Sequence, residues 1–202
     1  TYSWKLYEGR GYHYDPSNRL MHGPVLFYLN AVVFFIFGVS DYTTRLGQAL
    51  FGTGMVALIY LFRGYISKPG LLAGAAFLGL GPTFLYYTRF GKHDPFLIFF
   101  CLLFIVFSLR YWLKKANTDL YGAAASLAIF FCTKAHAWLY FGIFLTFFVL
   151  FFLYKVLSSQ GSESKNQVGW QKLRDHIRAN KWVFVLGLTI FWAIFIVQYS
   201  SF

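Results

Sequence analysis

Acidic residues are scarce in this chain. There are 7 Asp and Glu among 202 residues, against 18 Lys and Arg, and all charged residues together make up 12%. An average soluble protein carries about 25%. No carboxylate falls inside a long apolar run, which argues against a transporter, where acidic or broken-helix features sit mid-membrane. Only two cysteines occur, Cys101 and Cys132, both within apolar runs. Buried free thiols are therefore expected rather than a disulfide. There is no G-x-x-x-x-G-K-[ST], no H-E-x-x-H and no G-x-S-x-G, so the signatures of a phosphate loop, a zinc peptidase helix and a serine nucleophile elbow are missing. No internal repeat or low-complexity tract of fixed period is visible.

What the chain does have is apolar and aromatic surface. Hydrophobic residues make up 58%, including 26 Phe, 15 Tyr and 6 Trp, more than a soluble domain of this length can bury. The lipid bilayer must be the solvent for most of it. The net charge of +11 would suggest nucleic acid in a soluble protein. Here the cations fall mostly between apolar runs, as the positive-inside rule requires, and no nucleic-acid partner is expected. The chain begins at Thr1 and ends at Phe202, in or just after an apolar run, and we expect an internal piece of a longer multi-pass protein of the cell (plasma) membrane.

A spanning helix needs about 20 mostly apolar residues. The runs predict an all-α, polytopic transmembrane helical bundle with about six spanning helices. These are expected near 46–63, 71–88, 94–113, 119–133, 135–157 and 182–202, with a cytoplasmic loop over 158–181. Residues 1–45 are expected to form an extracytoplasmic loop that includes an interfacial helix, with a short spanning helix as the alternative. That helix is the apolar run 25–39, which reaches only ~22 Å against a hydrocarbon core of ~30 Å. Counting Lys and Arg in alternate loops sets the orientation. Arg63, Lys68, Arg110, Lys114, Lys115, Lys155, Lys165, Lys172, Arg174, Arg178 and Lys181 make 11; Lys5, Arg10, Arg19, Arg45, Arg89, Lys92 and Lys134 make 7. The first set is expected in the cytoplasm.

Chemistry is best sought in the outer turns. The turn Tyr86–Asp94 packs Arg89, Lys92, His93 and Asp94 between two apolar runs. Charge at a membrane boundary must be solvated or paired, and is a functional hypothesis by default. The structural alternative is snorkelling of the cations, with Asp94 as a helix N-cap before Pro95. Lys134, with Thr133 and His136 nearby, interrupts the long apolar stretch 120–154. It is expected on the same face as Arg89–Asp94, giving a cationic pocket suited to a lipid-carrier phosphate. The loop before residue 25 holds Tyr14, Asp15 and His22, which suit a sugar, although an interfacial aromatic belt explains its tyrosines equally well. His13, His22 and Asp15 could ligate a divalent metal, without tight ligand spacing to support it.

Taken in order, these segments resemble a known family. They are Tyr14-Asp15-Pro16, His22-Gly23-Pro24, Phe37-Gly38-Val39-Ser40-Asp41, Arg45-Leu46, Ala49-Leu50-Phe51-Gly52, Tyr86-Tyr87-Thr88-Arg89-Phe90, Asp94 and Thr133-Lys134. The set resembles membrane glycosyltransferases of the GT-C superfamily, of the dolichyl-phosphate-mannose protein mannosyltransferase and aminoarabinose transferase type. Within them it is most like the flippase-activity-associated proteins of archaeal-type N-glycosylation. The chain departs from that pattern at Thr88, at Lys92-His93 and at Ala135, where the family has Glu. The resemblance implies transfer of a sugar from a polyprenyl-phosphate donor to a protein or glycolipid acceptor on the extracytoplasmic face. It also implies a general base upstream of Thr1. Asp94 is then the candidate catalytic residue, and Arg89, Lys92, His93, Lys134, His136, His22, Tyr14 and Asp15 are candidate substrate-binding residues. The alternative is a non-catalytic membrane protein that binds lipid-linked sugars or assists their translocation.

Overall fold

The computed structural model describes residues 7–8, 23–90, 92, 94–158, 175 and 178–199. Among the described residues the architecture is all-helical. Eight helices can be followed: α1 Val25–Phe37, α2 Asp41–Ile59, α3 Lys68–Leu80, α4 Pro82–Arg89, α5 Asp94–Lys114, α6 Asn117–Thr133, α7 His136–Ser158 and α8 Lys181–Tyr199, with a 3-10 turn Tyr60–Gly64 extending α2. Helices are the expected answer for a single chain in lipid, because they satisfy every backbone N–H and C=O within the segment.

The link between α1 and α2 is built by local chemistry. Gly38 adopts φ 75°, a conformation only glycine takes without strain. Ser40 caps α2 by a reciprocal box: Thr43 N–H donates to Ser40 Oγ at 3.1 Å, and Ser40 N–H donates to Thr43 Oγ1 at 2.9 Å. This cap starts α2 at Asp41, inside the segment expected to belong to the outer loop. Apolarity alone missed the polar first turn.

Four helices pair along their lengths. Antiparallel α5 and α6 meet at one end through Arg110 Nε and Asp119 Oδ1, 3.0 Å apart, and at the other through Lys134 and Asp94. Between these points Gly122 leaves room for the Phe107 ring. Parallel to α5 runs α2, whose Phe51 ring meets Phe96 and Phe99 edge-on at 4.7 and 4.8 Å. On the other side α8 runs parallel to α6, with Gly187 against Leu120 and Ala124, and Phe191 against Phe131. Phe96, Met55, Val106 and Cys132 are fully buried within this bundle. Both cysteines are free.

Two expectations are met only in part. Among the described residues three helical stretches are long and apolar enough to cross a membrane, Asp41–Gly64, Asp94–Lys114 and Lys181–Tyr199, or four counting α3 and α4 as one broken span; six are not found on that criterion. The 17-residue α6 reaches only ~25 Å. The run 71–88, read as one helix, is bent by 53° between α3 and α4. Gly81 takes an extended conformation (φ −60°, ψ 120°) and Pro82 opens α4. Proline lacks the N–H that would continue the ladder, and it disfavours helical geometry in the residue before it.

Large apolar side chains cover the outside. Phe35, Phe77, Trp112, Phe147, Phe148 and Trp182 are all exposed, and α7 exposes almost all of its described side chains. Water would not tolerate a surface of this kind on a monomer. The chain is a multi-pass membrane protein.

Candidate functional site at the Lys134–Asp94 end

Three chain segments converge at one end of the bundle. The first is the turn between α6 and α7. Thr133 closes α6 with its side chain buried, Oγ1 donating back to Phe130 O at 2.6 Å. Lys134 then leaves the helix in an extended conformation (φ −161°, ψ 143°). Its carbonyl accepts the Ala137 N–H at 2.9 Å as α7 begins. Trp138 stacks on Phe131 at 4.0 Å, closing the turn from the apolar side.

The second segment is the start of α1. Gly23 N–H donates to Thr133 O at 3.1 Å. A Cβ on Gly23 would lie 1.8 Å from the Cys132 carbonyl oxygen, so no other residue permits this approach. Pro24, fully buried, follows it into α1. The His22-Gly23-Pro24 motif thus has a structural meaning in its last two residues: it docks α1 against the turn that carries Lys134.

The third segment is the start of α5. Asp94 opens the helix, and Pro95 and Phe96 behind it are buried. Phe96 is locked between Gly47 and the Phe51 ring. From this anchored position Asp94 Oδ1 accepts a hydrogen bond from Lys134 Nζ at 3.0 Å, across 40 residues of sequence. The two side chains are 28% and 23% exposed, so the pair is sheltered but reachable. An ammonium has three N–H donors; with one spent on Asp94, two can meet an anion.

The neighbouring cations are more open. Arg89 ends α4, is exposed, and has no ion-pair or hydrogen-bond partner among the described residues. Its position is set by Gly52, which leaves space for the buried Thr88 side chain at the α2–α4 contact. Lys92 Nζ lies 5.3 Å from the Tyr87 ring and 5.5 Å from the Phe90 ring, and Tyr86 stacks on Phe90 at 5.3 Å. Such cation–ring contacts steady an exposed ammonium without neutralising it. His136 is exposed at the start of α7.

The sequence-derived set therefore divides. Asp94 and Lys134 form a direct ion pair, while Arg89, Lys92 and His136 stand exposed on the turns beside it. His93, His22, Tyr14 and Asp15 lie outside the described residues, as does His13. No group of three metal-ligating side chains occurs among the described residues. Two parts of the site escaped sequence reasoning: the Gly23 backbone contact and the Gly52–Thr88 fit. Both are glycines needed for close approach, and only the position of the neighbour reveals that need.

A protein-family model described as dolichyl-phosphate-mannose-protein mannosyltransferase matches residues 21–161. No curated protein and no solved structure matches the chain.

Proposed function

The chain belongs to the dolichyl-phosphate-mannose-protein mannosyltransferase family, whose members are membrane glycosyltransferases using a polyprenyl-phosphate sugar, and from that premise we propose how this chain serves the reaction. It moves the sugar of a polyprenyl-phosphate donor to a protein or glycolipid acceptor on the extracytoplasmic face of the plasma membrane. The acceptor hydroxyl attacks the anomeric carbon and loses its proton to a general base. The bond to the lipid phosphate breaks as negative charge gathers on its oxygens. Lys134 and Arg89 hold that phosphate, assisted by Lys92, and Asp94 aims the Lys134 ammonium or orients a sugar or acceptor hydroxyl. Preorganised cations lower the barrier because they need no rearrangement when the charge develops.

The observation that carries this reading is the Lys134–Asp94 pair. It brings two charged side chains from different turns to one partly exposed point at the end of the bundle, with ammonium donors left over for an anion.

Six membrane passages also belong to this reading. The chain leaves α6 at the Lys134 end and enters α8 at the opposite end, so it must cross between them, and α7 is the helix available. By the same logic the bent α3–α4 pair returns the chain from the end of α2 to the start of α5. The 13-residue α1 stays at the Lys134 end as the interfacial helix.

The test uses full-length protein, a polyprenyl-phosphate sugar donor and a parallel measurement of membrane abundance. Lys134→Met, Arg89→Gln and Asp94→Asn are each expected to lose about 30–1000-fold in transfer rate at normal abundance, as for one charge-assisted contact of roughly 2–4 kcal/mol. Asn is itself a good N-cap, so Asp94→Asn isolates charge from capping. Parent rates in all three variants would show that the turns are structural.

A further inference from the structure

At the other end of α5 lies a second polar feature that the transfer reaction does not use. The 3-10 turn that extends α2 and the last turns of α5 line an open cavity of about 350 Å³, formed by Tyr60, Arg63, Tyr65, Arg110 and Lys114 together with small and apolar groups. That volume is at the small end of ligand sites, about 300–1,000 Å³. The lining carries Arg63, Arg110 and Lys114 and no carboxylate.

Each cation has a distinct setting. The Arg63 guanidinium lies 4.6 Å from the Tyr60 ring centre and Nη1 donates to the Tyr60 hydroxyl, which steadies the planar group. Arg110 is backed by Asp119, whose side chain is only 4% exposed, so that carboxylate faces away from solvent. Lys114, in the last turn of α5, is exposed. Cations at helix C-termini offset the negative end of the helix dipole, which accounts for single Lys or Arg residues there. It does not account for three cations from two helices sharing one concave site with two tyrosines.

The level of the site is informative. It sits where the apolar spans Asp41–Gly64 and Asp94–Lys114 end, the depth at which lipid headgroups begin. A headgroup phosphate there would meet planar guanidinium donors in bidentate geometry and an ammonium beside them. We propose that this cavity seats the phosphate of an anionic phospholipid in the leaflet at the Arg63–Lys114 end, as basic pockets between membrane helices do on cytoplasmic sides.

Purified full-length protein, delipidated in detergent, would be titrated with phosphatidylglycerol, phosphatidylcholine or glycerol 3-phosphate. Bound lipid is counted by native mass spectrometry. Phosphatidylglycerol is expected to bind the parent, and the double variant Arg63→Gln, Lys114→Gln to bind about thirtyfold more weakly. Arg110 is left in place, because removing it would strand Asp119. Lys181→Gln, on the same end but outside the cavity, should bind like the parent. Arg63→Lys with Lys114→Arg should retain binding, which guards against a folding defect. Equal loss in Lys181→Gln would mean a general surface charge effect and overturn the site. Equal binding of phosphatidylcholine would overturn the anionic preference, and binding of glycerol 3-phosphate as tight as that of the lipid would assign the cavity to a soluble phosphate.

Discussion

Single positions in this protein divide into those that make contact with charge and those that let contact happen. Lys134 and Asp94 belong to the first kind, Gly23, Gly52 and Gly122 to the second. Gly23 is the most demanding, because its neighbour is a carbonyl oxygen that cannot rotate aside. Gly23→Ala is therefore expected to push α1 off the α6–α7 turn and to destabilise by about 1–3 kcal/mol, the range for overpacking. Gly64→Ala, with nothing within 4 Å of the new methyl, should stay within about 0.5 kcal/mol. Melting of the two solubilised full-length variants makes the comparison; equal melting points would show that the α1 contact does not support the fold.

Among the elements, the α3–α4 pair stands out because its bend aims Arg89. Residues 68–89 would be one straight rod if the ladder ran through, but Gly81 and Pro82 break it by 53°. Pro82→Ala restores the missing donor and frees Gly81 to become helical. The expected result is a straighter pair whose ends lie about 3 Å further apart. Spin labels at Leu72→Cys and Phe90→Cys, both exposed, would read that change by pulsed electron resonance. An unchanged distance would mean that packing of Thr88 against Gly52, rather than proline, sets the angle. Transfer activity should fall in the same variant, since Arg89 moves with α4.

Over the whole molecule, charge is split between the two ends of the bundle. One end gathers Arg63, Lys68, Arg110, Lys114, Lys115 and Lys181, the other Arg45, Arg89, Lys92 and Lys134. The richer end is expected in the cytoplasm. In a background of Cys101→Ser and Cys132→Ala, an impermeant maleimide on intact cells should label Lys92→Cys and spare Ser67→Cys until the membrane is opened. Thr88, although in the same turn as Arg89, is buried and is a poor reporter. The reverse labelling pattern would invert the topology and move the Lys134–Asp94 site to the cytoplasmic side.

Apolar run lengths and the Lys and Arg residues between them were enough to read a helical membrane protein and to pick out the two turns that carry charge. The reason is that lipid leaves a backbone few options other than helix, so composition and run length act almost directly on structure. The start of α2 was misjudged because its first turn is polar and capped, and the break at Gly81-Pro82 because the same apolar pattern suits a straight or a bent span. Which side chains meet was beyond the sequence. That Lys134 reaches Asp94, that Gly23 lies on the Cys132 carbonyl, and that Arg63 and Lys114 face one cavity all depend on the direction and register in which helices pack. Those are set by ring and glycine contacts summed over several helices, such as Phe51 with Phe96 and Phe107 with Gly122, and by no local pattern along the chain.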